Sequence, residues 1–258
     1  MLKAILFDLD ETLLHEIKSA EAVITETVEP VCREHGIDPR EMMHTVFETA
    51  RPIWHSMPTH PYCKRVAISS WEGLWGPFTG DHPDLVELRK IVHDYRVQTW
   101  YDSMKAYGLD LPETAERIAL SYPEARKKRH VQFPETKEVM DKLFSMYPMA
   151  LLTNGTPSVQ WAKIKGGGVE KYFKHVIISG DLETRKPDPV IFNTILDRLG
   201  LHPGQAIMVG DNLRSDIAGA SGAGIKSVWV NRWEEVLDDA ASPDYIIKDL
   251  RELFDILN

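Results

Sequence analysis

Cysteine is scarce in this 258-residue chain, which carries only two, Cys32 and Cys63. Two thiols cannot staple a fold, so a disulfide framework is excluded and a reducing compartment is expected. Positive charge is also short: 30 Lys and Arg face 39 Asp and Glu, for a formal net charge of −9. That balance excludes a nucleic-acid surface, which needs a basic stripe. No apolar run reaches the length of a membrane span. At the N-terminus Lys3 and Asp8 bracket a run too short for a signal peptide. Internal repeats and low-complexity stretches are missing as well. What is present is an ordinary globular composition, 43% hydrophobic and 27% charged, long enough for one large or two modest domains. A cytoplasmic protein is expected, with neither membrane nor nucleic acid as partner.

The sharpest local pattern is Lys3-Ala-Ile-Leu-Phe-Asp8-Leu-Asp10-Glu-Thr12. A short apolar run ended by polar turn residues predicts a buried strand, central in a parallel sheet. Alternation along an extended chain lets Asp8 and Asp10 share one side of its C-terminal end, where open α/β sheets place ligands. Two carboxylates so close repel each other unless a cation, a proton or a donor compensates.

From His15 to Arg129 the spacing is helical. Ala20, Val23, Ile24, Val28 and Val31 fall on one face of a predicted helix ending near Gly36, and further helices are predicted from Asp38-Pro39 to about Trp54, from Pro83 to Tyr107, and from Leu111-Pro112 into the basic run Arg126 to Arg129. That basic run reads as a solvated helix end favoured by the dipole, and Pro58 and Pro61 read as breaks. From Val131 the rhythm becomes β-α-β. Strands are predicted at Met149–Thr153, Val176–Ile178, Ala206–Gly210, Ser227–Val230 and Tyr245–Ile247, separated by helices and followed by a closing helix over 250–257. Strands alternating with helices predict a parallel sheet covered on both faces.

Three further strand ends answer the two aspartates. Thr153-Asn154-Gly155 offers a hydroxyl and backbone N–H groups suited to an anion. Lys186-Pro187 puts an amine before a predicted helix N-terminus, with Pro187 as its first residue. Gly210-Asp211-x4-Asp216 adds a second acidic pair. Each alone is ordinary turn chemistry; together they match a hard divalent cation and a phosphoryl group.

These four ordered motifs resemble those of the haloacid dehalogenase (HAD) superfamily. The resemblance spans the chain and implies an α/β class: a Rossmann-like core over residues 1–15 and 130–258, with an all-α C1 cap inserted over 16–129. It implies Asp8 as nucleophile and Asp10 as general acid and base, oriented by Thr12. Thr153, Asn154 and Lys186 would bind the substrate phosphate. Mg²⁺ would be held by the Asp8 carboxylate, the Asp10 backbone carbonyl and Asp211, with Asp216 ligating through water or orienting Lys186. The implied activity is hydrolysis of a small phosphorylated metabolite through an aspartyl-phosphate. Dehalogenases and phosphonatases lack an acid at position 10. A sugar phosphomutase and a non-catalytic phosphate-binding relative are the alternatives. Pro134 is followed by Glu135 where many relatives have glycine. The resemblance further implies that the insert closes over the site and selects the substrate. Trp54, Trp71, Trp75 and Trp100 are candidates to line that space, and Arg51, Lys64 and Arg65 to meet a second anionic group. The substrate and the oligomeric state stay open.

Overall fold

A computed structural model describes residues 1–237 and 241–257. The chain forms two compact units: Met1–His15 with Val131–Gly155 and Gly167–Asn258, and Glu16–His130 with Thr156–Gly166.

The first unit is built on six parallel strands: β1 (Ala4–Phe7), β2 (Met149–Thr153), β3 (His175–Ile178), β4 (Ala206–Gly210), β5 (Lys226–Val230) and β6 (Tyr245–Ile247). They lie in the order β3-β2-β1-β4-β5-β6. β1 is therefore central, with Phe7 registered against Leu151 on one side and Val209 on the other. All four β1 residues are fully buried, as a strand covered on both faces requires. The chain leaves β1 toward β3 on one side and toward β6 on the other, so a topological switch point lies at the C-terminal end of β1. On one face Leu6, Leu152 and Met208 pack against Ile191, Phe192 and Ile195 of the helix Pro189–Leu199.

That helix starts two residues later than expected. Asp188, not Lys186, is its N-cap, accepting from the Val190 N–H at 2.9 Å, and Pro189 rather than Pro187 takes the first helical position. Its end is marked by Gly200, whose φ of 66° is left-handed.

The second unit is helical throughout, with helices Glu16–His35, Pro39–Ser56, His60–Val66, Ser70–Gly73, Pro83–Lys105, Pro112–Lys127 and Pro157–Gly166. Pro61 does not break the chain as expected. It sits in the first turn of His60–Val66, where its missing N–H costs nothing.

The basic run departs from expectation at one residue: Lys127, Lys128 and Arg129 are exposed at the helix end, as expected, but Arg126 is not. Arg126 is fully buried and pairs with Glu16 at 2.6 Å, while its guanidinium lies 5.0 Å from the Trp75 ring centroid. A guanidinium with a buried carboxylate and an aromatic face has no need of solvent at the helix end. Lys163, equally buried, reaches Glu72 at 2.7 Å and Glu16 at 3.6 Å. The second Glu72 oxygen accepts from the Ser69 N–H and hydroxyl, closing a capping box. These ion pairs tie the segment Thr156–Gly166 into the helical unit, although a boundary drawn from sequence at residue 130 left it with the strands.

Candidate active site

Asp8 follows β1 directly and is only 6% exposed. Its N–H donates to Val209 O on β4, which carries the strand geometry one residue further and aims the carboxylate beyond the sheet edge. Lys186 comes from the segment between β3 and the helix Pro189–Leu199 and is 2% exposed. Its Nζ lies 2.5 Å from Asp8 Oδ1 and 2.6 Å from Asp216 Oδ1, and donates to Leu152 O at 2.8 Å. A buried ammonium survives only with such partners. The backbone around it is held by Asn154, whose Oδ1 accepts from Lys186 N at 2.9 Å. The Lys186-Pro187 peptide is cis.

Asp211 lies two residues before a single π-helical turn, Leu213–Ile217, and Asp216 lies within it. Asn212 caps it by accepting from Arg214 N and Ser215 N, both at 3.0 Å, and its own N–H donates to Asp216 Oδ2 at 3.0 Å. Gly210 is required here for space. A Cβ built on it would stand 2.5 Å from Asp216 Cγ. Thr12 is fully buried, and its hydroxyl donates to Asp8 Oδ2 at 3.1 Å, with Asp211 Oδ1 next at 3.4 Å. The resemblance implies that Thr12 orients Asp10; the hydroxyl instead serves the two carboxylates across the strand ends. Asp10 is half-buried one residue past Leu9, close enough for its charge to act on Asp8. Thr153 ends β2 and is 1% exposed.

The electrostatics follow from the burial. Desolvation pushes the Asp8 carboxyl up to about 7; Lys186 opposes this, and the negative Asp216 and Asp10 add to it. Desolvation, then Asp8 and Asp216, hold the Asp211 carboxyl well above the usual carboxylate range. Burial by itself would lower the Lys186 ammonium, but Asp216 and Asp8 outweigh it and hold the group above its ordinary value.

Ligand oxygens of Asp8, Asp211 and Asp216 all lie within 4.8 Å of one another. Three carboxylates against one ammonium leave a formal excess of two negative charges in a buried place. An all-oxygen donor set with that excess fits a hard divalent cation.

Sequence reasoning missed two supporting residues. Ser179, fully buried just past β3, accepts from Gly155 N at 2.9 Å and so holds the turn after Thr153, whose Gly155 has a left-handed φ of 131°. Its position at a strand's C-terminal end was the available signal. Trp229 on β5 donates its indole N–H to Asp211 O at 2.7 Å, and nothing local in sequence announces that. Of the tryptophan candidates, Trp54, Trp75 and Trp100 belong to the core of the helical unit. Trp71 lies against Phe47 and, with Glu21, Arg51 and Ser70, lines a cavity of about 190 Å³ within that unit. Arg65 stands over the Tyr62 ring at 5.3 Å, and Lys64 is exposed.

Known proteins of similar sequence match this chain over nearly its whole length. Phosphoserine phosphatase of Thermus thermophilus is 33% identical over 254 residues, covering 98% of each chain. Glyceraldehyde 3-phosphate phosphatase of Pyrococcus furiosus is 28% identical, covering 99% of this chain and 93% of its own. N-acylneuraminate-9-phosphatase of Mus musculus is 26% identical, covering 97% and 92%. Among solved structures, the magnesium-bound putative HAD-hydrolase YfnB of Bacillus subtilis has the same fold, with a TM-score of 0.67 at 20% identity over 100% of this chain and 99% of that one. A haloacid dehalogenase-like hydrolase family model matches residues 2–224, and on that match and the 33% relative the chain belongs to the haloacid dehalogenase-like hydrolase family.

Proposed function

We propose that this protein is a Mg²⁺-dependent phosphatase that hydrolyses a small organic phosphomonoester through an aspartyl-phosphate on Asp8. The observation that carries the reading is the buried Asp8–Lys186–Asp216 chain with Asp211 beside it, two negative charges in excess. The similar proteins named as phosphatases of phosphoserine, glyceraldehyde 3-phosphate and N-acylneuraminate 9-phosphate support the substrate class, since all three are small and phosphorylated.

Asp8 attacks phosphorus in line while Asp10 gives its proton to the departing ester oxygen. The alcohol leaves, and the phosphoryl group stays on the Asp8 carboxylate. Asp10, now ionised, takes a proton from water as that water attacks phosphorus. Inorganic phosphate departs and the Asp8 carboxylate is restored. Lys186 and the hydroxyl of Thr153, with backbone N–H groups near Asn154, stabilise the oxygens on which charge gathers. The Asp8 carboxylate, the Asp10 backbone carbonyl and Asp211 would hold Mg²⁺, with Asp216 orienting Lys186 from the other side. Bound there, the ion would supply positive charge to offset the negative charge of the transferring phosphoryl group. Thr12 keeps Asp8 and Asp211 in one arrangement through its hydroxyl.

Two buried free cysteines suit a cytoplasmic setting, and among the described residues no helix is long and apolar enough to cross a membrane. The test is phosphate release from a broad phosphomonoester panel with and without Mg²⁺, with Asp8→Asn as control. Metal-dependent turnover lost in Asp8→Asn is expected. A protein inert across the panel, or equally active as Asp8→Asn, would end the proposal.

A further inference from the structure

The segment from Leu9 to Leu14 carries Asp10 and Thr12 through a tight reversal in which Glu11 takes a left-handed φ of 58°. A non-glycine residue there costs energy, so the turn needs external support. Within the segment, Leu13 N and Leu14 N donate to Leu9 O, and Glu11 N donates to Leu14 O. Two carbonyls are held from outside. Leu13 O accepts from the Thr136 hydroxyl at 2.9 Å and from Phe133 N at 3.3 Å. Thr12 O accepts from Arg232 Nη2 at 3.1 Å, across 220 residues of sequence.

Arg232 stands just past β5, and its side chain is only 9% exposed. Its charge is met by Glu135, 3% exposed, at 2.6 Å from Nη1, and its guanidinium lies 3.8 Å from the Phe133 ring centroid. The His15 ring stacks on Phe133 as well, with centroids 4.8 Å apart, at the far end of the same segment. A buried carboxylate with no cation, or a buried guanidinium with no anion, is costly, so each residue depends on the other. Arginine suits the post because its planar fork sends separate N–H groups to two acceptors; a lysine has one nitrogen to aim. Glu135 stands where the resemblance implies a glycine in many relatives, and this pair gives its carboxylate a use.

We infer that Arg232, oriented and neutralised by Glu135, is a positioning residue for the nucleophile segment: by fixing the Thr12 carbonyl it keeps the Thr12 hydroxyl on Asp8 and the Asp10 backbone in place. The inference rests on the reading of Asp8 and Asp10 as the reacting groups. Arg232 itself touches neither.

The experiment compares the wild-type chain with Arg232→Met, Arg232→Lys, Glu135→Gln and the Glu135→Gln/Arg232→Met double variant. Turnover is measured on whichever phosphomonoester the wild type hydrolyses best, and amide hydrogen exchange on the whole chain. For Arg232→Met, kcat is expected to fall about tenfold or more with KM nearly unchanged, the scale on which residues supporting reactive groups act. Added guanidinium ion restores part of the loss, and Arg232→Lys falls between wild type and Arg232→Met. Exchange rises across residues 9–14 while β4 and β5 keep their protection. The double variant loses less than the product of the two single losses, because each single variant already strands its partner. A kcat within about twofold of wild type in Arg232→Met would overturn the inference, as would exchange that rises equally over the whole sheet. If the wild type hydrolyses nothing on the panel, the phosphatase reading fails first. The exchange arm still decides the positioning role, because unchanged protection at 9–14 in Arg232→Met refutes it alone.

Discussion

Replacing Lys186 with methionine keeps most of the side-chain length and removes the ammonium from the most charged place in the sheet unit. Three acceptors lose their donor at once: Asp8, Asp216 and the Leu152 carbonyl. Both carboxylates are nearly buried, so water cannot replace the lost partner. Removing one member of a buried pair costs about 3–5 kcal/mol. Two carboxylates sharing one cation would give twice that, but Asp8, already raised, escapes by taking up a proton. The sign follows from Asp8: Lys186 is the influence that opposes its upward shift, so without the lysine Asp8 titrates still higher than about 7. The penalty is therefore largest above that pH and shrinks as the solution is acidified toward 5. At pH 8 a loss of about 3–5 kcal/mol corresponds to a drop in Tm on the order of 10 °C for a chain of this size. Turnover should fall about 10²–10³-fold from the lost stabilisation of the transferring phosphoryl group. Calorimetry at pH 5 and pH 8, with phosphate release on the same samples, provides the check. A variant as stable as wild type at pH 8, or one keeping half the turnover, would refute the assigned role of the Asp8–Lys186–Asp216 chain.

The carboxylates proposed to hold Mg²⁺ should also make its affinity depend on pH. With the Asp8 carboxyl near 7 and Asp211 raised, protons compete for the same oxygens, so affinity falls as pH drops from 8 to 6. Calorimetric titration in buffers of different ionisation enthalpy should show proton release; a pH-independent affinity would contradict the assignment. Gly210→Ala places a methyl 2.5 Å from Asp216 Cγ. Overpacking of that kind costs about 1–3 kcal/mol, and displacement of Asp216 from Lys186 should lower kcat more than it raises KM; unchanged kinetics would show that Gly210 is not needed for space. In the helical unit, Lys163→Met leaves the buried Glu72 Oε1 without its cation, while Glu16 keeps Arg126, and should cost about 3–5 kcal/mol in chemical denaturation. A loss under about 1 kcal/mol would mean that the segment Thr156–Gly166 is held by packing alone.

The amino-acid order by itself determined the strands and pointed to the candidate site residues at their ends. β1 is legible because four apolar residues run straight into Asp8 and a polar turn, as a strand covered on both faces does, and the other strand ends repeat it at Thr153 and Asp211. These signals are local, since alternation, turn chemistry and strand length need no knowledge of the partner. Tertiary structure alone decided what each polar group meets. Arg126 looked solvated from its own helix, because the dipole is local while Glu16 is 110 residues away. Thr12 turned to Asp8 and Asp211 rather than Asp10. Trp229 and Ser179 became supports for Asp211 and Gly155 through strand neighbours that the chain order does not reveal. Glu135 looked like an idle departure from a pattern until Arg232 came to it from beyond β5. Hydrophobic periodicity is written along the chain, whereas a buried charge finds its counter-charge across it, through contacts that exist only once the sheet has closed.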